Sequence, residues 1–342
     1  MTDRVSGVHH VTAIASDPQR NVEFYTDVLG LRLVKKTVNF DDKYTYHLYY
    51  GDERGTPGTI LTFFPFDGAA QGRVGAGQVG ATAFAIPPGS ADYWVDRLES
   101  KGVSVGDSRE RFGETVVPFE DHDGQPLELV ESASKSDGID PWDDSPVPVE
   151  RAIRGFHGVT LNSTDFGATA TVLETMGYER EGISDDGTDG RTRFRAAGDR
   201  ASVVDLVDAA DEQRGRQGYG TVHHVAFRTP DDESQAAWRD RLGDAGLFVT
   251  PVKDRQYFRS VYFREPGSVL FEIATDPPGF TRDETVEALG TDLKLPPWLE
   301  NDREAIESRL PEIHVSERSR SETRADGGGP AGHDDSTAEA DR

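Results

Sequence analysis

At 342 residues the chain is long enough for about two domains of roughly 150 residues each. Its 62 acidic against 37 basic side chains give a formal net charge of −25. That reads as a halophile's solvated surface, which concentrated salt screens, and it argues against nucleic acid or an anionic membrane as partner. The absence of cysteine excludes disulfides, thiolate metal sites, iron–sulfur clusters and cysteine nucleophiles.

Four segments in chain order read as one unit, a strand, a helix and then further strands. The first (residues 7–66) opens Gly7-Val8-His9-His10-Val11-Thr12-Ala13-Ile14, with a helix expected from Asp17-Pro18 to Gly30. Asp17 suits an N-cap, Pro18 the first helical position, and Val22, Tyr25, Val28 and Leu29 recur at helical spacing. The second (78–132) opens Val79-Gly80-Ala81-Thr82-Ala83-Phe84, with a helix from Ser90 to Gly102. The third (154–208) opens Gly155-Phe156-His157-Gly158-Val159-Thr160-Leu161, with a helix from Asp165 to Gly177. The fourth (220–276) opens Thr221-Val222-His223-His224-Val225-Ala226-Phe227, with a helix from Pro230 to Gly246. Each closing glycine stands where a left-handed cap is wanted.

The fold expected is α+β, four βαβββ units grouped as an N-terminal domain (1–133), a linker (134–150) and a C-terminal domain (151–276). A helical arm follows (277–315), with Pro296-Pro297-Trp298-Leu299 packing down and a helix near Arg303 to Leu310. From residue 316 to 342 almost nothing is apolar, and a disordered acidic tail is expected. No run approaches the roughly 18 apolar residues of a membrane span, and the opening Met1-Thr2-Asp3-Arg4 has no apolar signal segment. A cytoplasmic protein is expected.

Equivalent positions of the units differ in chemistry. The second histidine of the opening strand is His10 in the first unit and His224 in the fourth, but Ala81 and Gly158 in the others. The last strand carries Glu272 in the fourth unit, against Thr62, Glu128 and Asp205 in the first, second and third. Side chains alternate along a strand, so His9 and His10, like His223 and His224, are expected on opposite faces, with one of each pair able to reach a shared centre. His157 keeps the first position where the second is lost, which makes the first a supporting one. If units one and four pair into one half-open barrel, His10, His224 and Glu272 converge in its mouth, and units two and three form a metal-free scaffold barrel. Two histidines and one carboxylate with open positions is the facial triad of Fe(II) oxygen-activating enzymes; zinc hydrolases also use such a set. Glu128 and Asp205 are then salt-bridge or surface groups, and His47, His122, His314 and His333 default to structural or exposed roles.

At these residues the sequence resembles the vicinal oxygen chelate superfamily of glyoxalase I, bleomycin-resistance proteins and extradiol dioxygenases. Within it the chain is most similar to the hydroquinone-type ring-cleaving dioxygenases. Tyr46-His47-Leu48-Tyr49-Tyr50-Gly51-Asp52, Asp254-Arg255-Gln256-Tyr257-Phe258-Arg259 and Leu270-Phe271-Glu272-Ile273-Ala274 carry the likeness beside the two His-His strands. The resemblance implies Fe(II) on His10, His224 and Glu272, with Mn(II) accepting the same set, and a small dihydroxylated aromatic substrate with O2. It implies that Arg255 holds oxyanion charge, that Tyr262 and His223 handle protons, and that His9 and Thr12 orient a ligand histidine. Homo-oligomerisation is left open. The alternatives are a glyoxalase-like lyase or isomerase, against which Thr62 withholds the fourth ligand, and a non-enzymatic binding or resistance protein, which needs none of the ligands.

Overall fold

The computed structural model of the chain describes residues 4–66, 68–133, 138–184 and 190–315. The expected tail with His333, and residues 134–137 of the expected linker, lie outside the described residues.

All four repeats form. The first supplies β1 (Val8–Ala15), α1 (Pro18–Glu23), β2 (Arg32–Asn39), β3 (Asp42–Gly51) and β4 (Ile60–Pro65). The second supplies β5 (Gln78–Ile86), α2 (Ala91–Ser100), β6 (Arg109–Arg111), β7 (Glu114–Glu120) and β8 (Pro126–Glu131). In the third these are β9 (Phe156–Ser163), α3 (Phe166–Thr175), β10 (Glu179–Ile183), β11 (Thr192–Arg195) and β12 (Val203–Asp208). In the fourth they are β13 (Thr221–Thr229), α4 (Asp232–Asp244), β14 (Lys253–Asp254), β15 (Arg259–Arg264) and β16 (Leu270–Thr275).

Asp17, Asp165 and Asp231 cap α1, α3 and α4, each carboxylate accepting from the backbone N–H three residues on. Gly30, Gly102, Gly177 and Gly246 close the helical segments with φ between 71° and 92°. The first helix departs from its expected form: after Glu23 it widens into a π-turn over Phe24–Val28, which buries the consecutive residues Phe24, Tyr25 and Thr26.

The strands form two curled eight-stranded sheets. One, in the order β14-β15-β16-β13-β1-β4-β3-β2, joins repeats one and four; the other, β10-β11-β12-β9-β5-β8-β7-β6, joins repeats two and three. Repeats meet through the antiparallel pairs β1–β13 and β5–β9, while the first and last strands inside each repeat run parallel. The register repeats too. Thr12 stands opposite Thr62, Ala83 opposite Glu128, Thr160 opposite Asp205 and Ala226 opposite Glu272. Because β1 lies mid-sheet, covered on both faces, all eight of its residues are buried.

The second sheet contains no His-His pair, and its carboxylates are neutralised from within the chain. Arg111 makes a bidentate pair with Glu128 at 2.8 Å on both arms, and Arg109 adds a contact at 3.1 Å. Arg193 holds Asp205 at 2.8 and 3.0 Å and reaches Glu114, which also binds His157 at 3.1 Å.

Beyond β16 the arm lies along β2, the edge of the first sheet. Lys294 N–H donates to the Lys36 carbonyl, and Leu295 and Ile306 bury against Val38. Its α-helix, α5 (Arg303–Glu307), is shorter than expected, with three 3-10 turns before it. Lys35 of β2 is fully buried between Asp283 and Glu284 of the arm, under the Tyr257 ring at 4.8 Å.

Candidate metal centre

β1 and β13 pair antiparallel mid-sheet, and β16 runs beside β13, so three side chains from distant parts of the chain meet. His224 Nε2 lies 2.8 Å from Glu272 Oε2, His10 Nε2 lies 3.4 Å from the same oxygen, and the two Nε2 atoms are 3.3 Å apart. Donors about 2.1 Å from one ion stand about 3 Å apart on adjacent coordination positions. All three residues are buried.

The donor set fits a cation on the state of Glu272. Its Oε1 accepts from Ser260 Oγ, but Oε2, fully buried, has no hydrogen-bond partner among the described residues. A buried carboxylate oxygen facing two imidazole nitrogens without hydrogen bonds is costly unless a positive charge sits among them. Burial alone would raise the Glu272 carboxyl; the His10 and His224 imidazoles override it and hold the group well below the usual range.

The expectation of opposite faces within each His-His pair is corrected by the backbone. The β1–β13 register slips by one residue between Val8 and His10, and again between Thr12 and Ala13, where β13 carries the extra residue. These bulges fall at His9 and His223 and break the alternation. The paired rings turn together, with Nδ1 of His9 2.9 Å from Nδ1 of His10, and Nδ1 of His223 2.7 Å from Nδ1 of His224. Each inward-facing Nε2 is thus backed by a neighbouring imidazole rather than a carboxylate. Burial pushes His223 down to about 3 and His9 well below its ordinary value, with the adjacent histidine adding in the same direction, so both rings are neutral.

A cavity of about 210 Å³ opens onto the triad, walled by Phe40, Tyr49, Phe64, Phe66, Phe258 and Tyr262. Thr12, His223 and Arg255 also line it, whereas His9 stands behind His10 against Phe258. Arg255 donates from Nε to the Tyr262 hydroxyl at 3.1 Å and from Nη2 to Asp41 at 3.0 Å. Burial raises the Tyr262 hydroxyl above its ordinary value, and Glu272 raises it further.

The sequence reading missed His47, which lines the cavity with Nε2 2.6 Å from Thr62 Oγ1 and Nδ1 2.8 Å from the Tyr49 hydroxyl. It also missed Ser260, Phe258 and Asp41. The two-residue spacing of His47 and Tyr49 on one strand was the available signal. His122 is buried beside Phe24, and His314 is exposed.

The glyoxalase/bleomycin resistance protein/dioxygenase superfamily profile matches residues 7–129 and 174–280. A Bacillus subtilis protein named "Putative ring-cleaving dioxygenase MhqO" is 49% identical over 318 residues, 93% of this chain and 99% of its own. The chlorohydroquinone/hydroquinone 1,2-dioxygenase of Sphingobium indicum is 38% identical over 319 residues, 90% of this chain and 96% of its own. The crystal structure of a Bacillus subtilis protein described as a putative dioxygenase superposes with a TM-score of 0.86 at 48% identity, covering 92% of this chain and 99% of that one. The chain belongs to the glyoxalase/bleomycin resistance protein/dioxygenase superfamily.

Proposed function

We propose that this chain is a non-haem Fe(II) dioxygenase of the extradiol type that opens a dihydroxylated aromatic ring, of the hydroquinone or catechol class, with O2. The observation that carries the reading is a His-His-Glu centre at the floor of an aromatic-walled cavity of about 210 Å³, with a threonine at the fourth-ligand position. An apolar cavity of about 150 Å³ holds benzene, so this one suits a single substituted ring. Relatives named as ring-cleaving dioxygenases along nearly the whole chain support the same choice.

When bound, Fe(II) supplies a Lewis acid that acidifies a ring hydroxyl and a path for electrons to O2. Glu272 is the one anionic ligand, so a divalent ion keeps a net positive charge toward a phenolate. Thr62, held by His47 and Thr12, offers no carboxylate, which leaves room for substrate and oxygen and disfavours a glyoxalase-like isomerase. Arg255 is a fixed cation for developing oxyanion charge, and its Nε–H on the Tyr262 oxygen holds that hydroxyl at the cavity wall, where it would serve as a proton donor. With His224 Nε2 turned to the metal, its Nδ1–H donates to His223 Nδ1, which leaves the neutral His223 ring an Nε2–H to hydrogen-bond a substrate oxygen in the cavity. His9 fixes the His10 ring, the role outer partners play at metal sites. Mn(II) accepts the same ligands. Among the described residues no helix is long and apolar enough to cross a membrane, in keeping with a small diffusible substrate.

The test is anaerobic loading with Fe(II) or Mn(II), then oxygen-electrode assays with hydroquinone, catechol and the methylglyoxal–glutathione adduct. Oxygen uptake with a ring-fission chromophore is expected for a diphenol with Fe(II). Isomerisation of the adduct without oxygen uptake overturns the reading, and so does a His224→Ala variant that keeps turnover.

A further inference from the structure

His47 sits at the centre of a row of side chains across the floor of the cavity. Tyr49 and His47 are two apart on β3 and share a face. Tyr49 is in register with Thr62 on β4, and Thr62 with Thr12 on β1. The Tyr49 hydroxyl lies 2.8 Å from His47 Nδ1, His47 Nε2 lies 2.6 Å from Thr62 Oγ1, and Thr62 Oγ1 donates to Thr12 Oγ1 at 3.2 Å.

Counting protons fixes the direction of every link. A threonine hydroxyl has one proton, and that of Thr62 goes to Thr12, so toward His47 Thr62 can only accept. His47 Nε2 therefore carries the imidazole proton, Nδ1 is bare, and Tyr49 must donate to it. The directions agree with this assignment: burial lowers His47 below its ordinary value and raises the Tyr49 hydroxyl above its own. The row ends at Thr12, a buried residue at the cavity lining whose proton meets no acceptor among the described residues.

We infer that Tyr49, His47 and Thr62 are positioning residues that turn the Thr12 hydroxyl into a single oriented donor, aimed at a substrate oxygen beside the metal centre. His47 is no acid or base for the ring. Both its nitrogens are engaged, and its ring packs against those of Tyr49 and Phe64 with centroids 4.0 and 4.3 Å away. The row stands on geometry alone; the identity of the oxygen it addresses rests on the ring-cleavage reading.

Two measurements test it. In the full chain, 15N-labelled at histidine and loaded with diamagnetic zinc, NMR should find His47 as the Nε2–H tautomer; the Nδ1–H form or an imidazolium overturns the proposal whatever the enzyme turns over. Anaerobic calorimetry of the Fe(II)-loaded protein with hydroquinone and with catechol should then show Thr62→Val weakening the bound diphenol about tenfold, the worth of one good hydrogen bond. Metal content should not change, and Thr62→Ser should restore affinity. In a Thr12→Val background, Thr62→Val should add no further loss, and an additive loss overturns the proposal. If the wild type binds neither diphenol, the ring-cleavage reading fails, and the His47 tautomer still decides the row.

Discussion

The two oxygens of Glu272 face different partners, and that division sets what substitutions there will do. Ser260 holds Oε1, while Oε2 is left facing the two imidazoles. Glu272→Gln keeps the shape and the serine contact but removes the charge. Metal content, measured by plasma emission, should fall from about one ion per chain to near zero; full retention would show that the three donors are not the ligand set. His9→Ala acts one step back. It leaves Nε2 of His10 in place but frees the ring to rotate, and metal affinity should weaken roughly 10- to 100-fold in a chelator competition. The His-His-Glu cluster was legible because repetition exposed it: two of four equivalent positions kept histidine, and of three final-strand carboxylates only Glu272 shares a unit with one of them. The contacts at Nδ1 were not legible. A one-residue bulge carries no mark in Val8-His9-His10-Val11, and alternation predicted the reverse. His47 escaped for a related reason. Its partner Thr62 is fifteen residues away, and only the register of β3 on β4 brings the two together.

Among the elements, the arm and β2 are joined by a charge that water cannot reach. Lys35 is fully buried with Asp283 and with Glu284, itself almost wholly buried. Lys35→Met would strand those carboxylates, a change that costs about 3–5 kcal/mol when a buried pair loses one member. The expected result is a lower melting temperature and faster proteolysis beyond Thr275; an unchanged melting temperature would mean that the arm docks through its apolar contacts alone. A second joint ties β7, β9 and β11 through Glu114, His157 and Arg193. Burial alone would raise the Glu114 carboxyl, but His157 and then Arg193 hold it at about 2. Since the unfolded value is about 4.3, this stabilisation is fully present above that pH and is lost as pH falls toward 2. Glu114→Gln should therefore lower the melting temperature at pH 6 more than at pH 3, with an equal loss at both counting against the assignment. Four helices and their glycine caps were readable from spacing. The π-turn after Glu23 was not, because Val22, Tyr25 and Val28 fit an ordinary helix equally well until packing buries Tyr25 and its two neighbours.

For the whole molecule, the dominant quantity is the charge of −25. Raising salt from 0.1 to 1 M shortens the screening length from about 10 to about 3 Å, which should relieve repulsion across the acidic surface. We expect the melting temperature to climb over that range of KCl. A flat or falling trend would argue against adaptation to concentrated salt.

The two sheets also answer one electrostatic problem in opposite ways. Both place carboxylates on the same strand position of a repeat. Glu128 and Asp205 are countered by arginines that belong to the chain and cannot leave. Glu272 has no arginine partner among the described residues, and the countercharge proposed for it is an ion from solution, which can be exchanged, withheld or shared with a visiting anion. Fixed arginines make one mouth a girder, while an exchangeable ion would leave the other free to do chemistry.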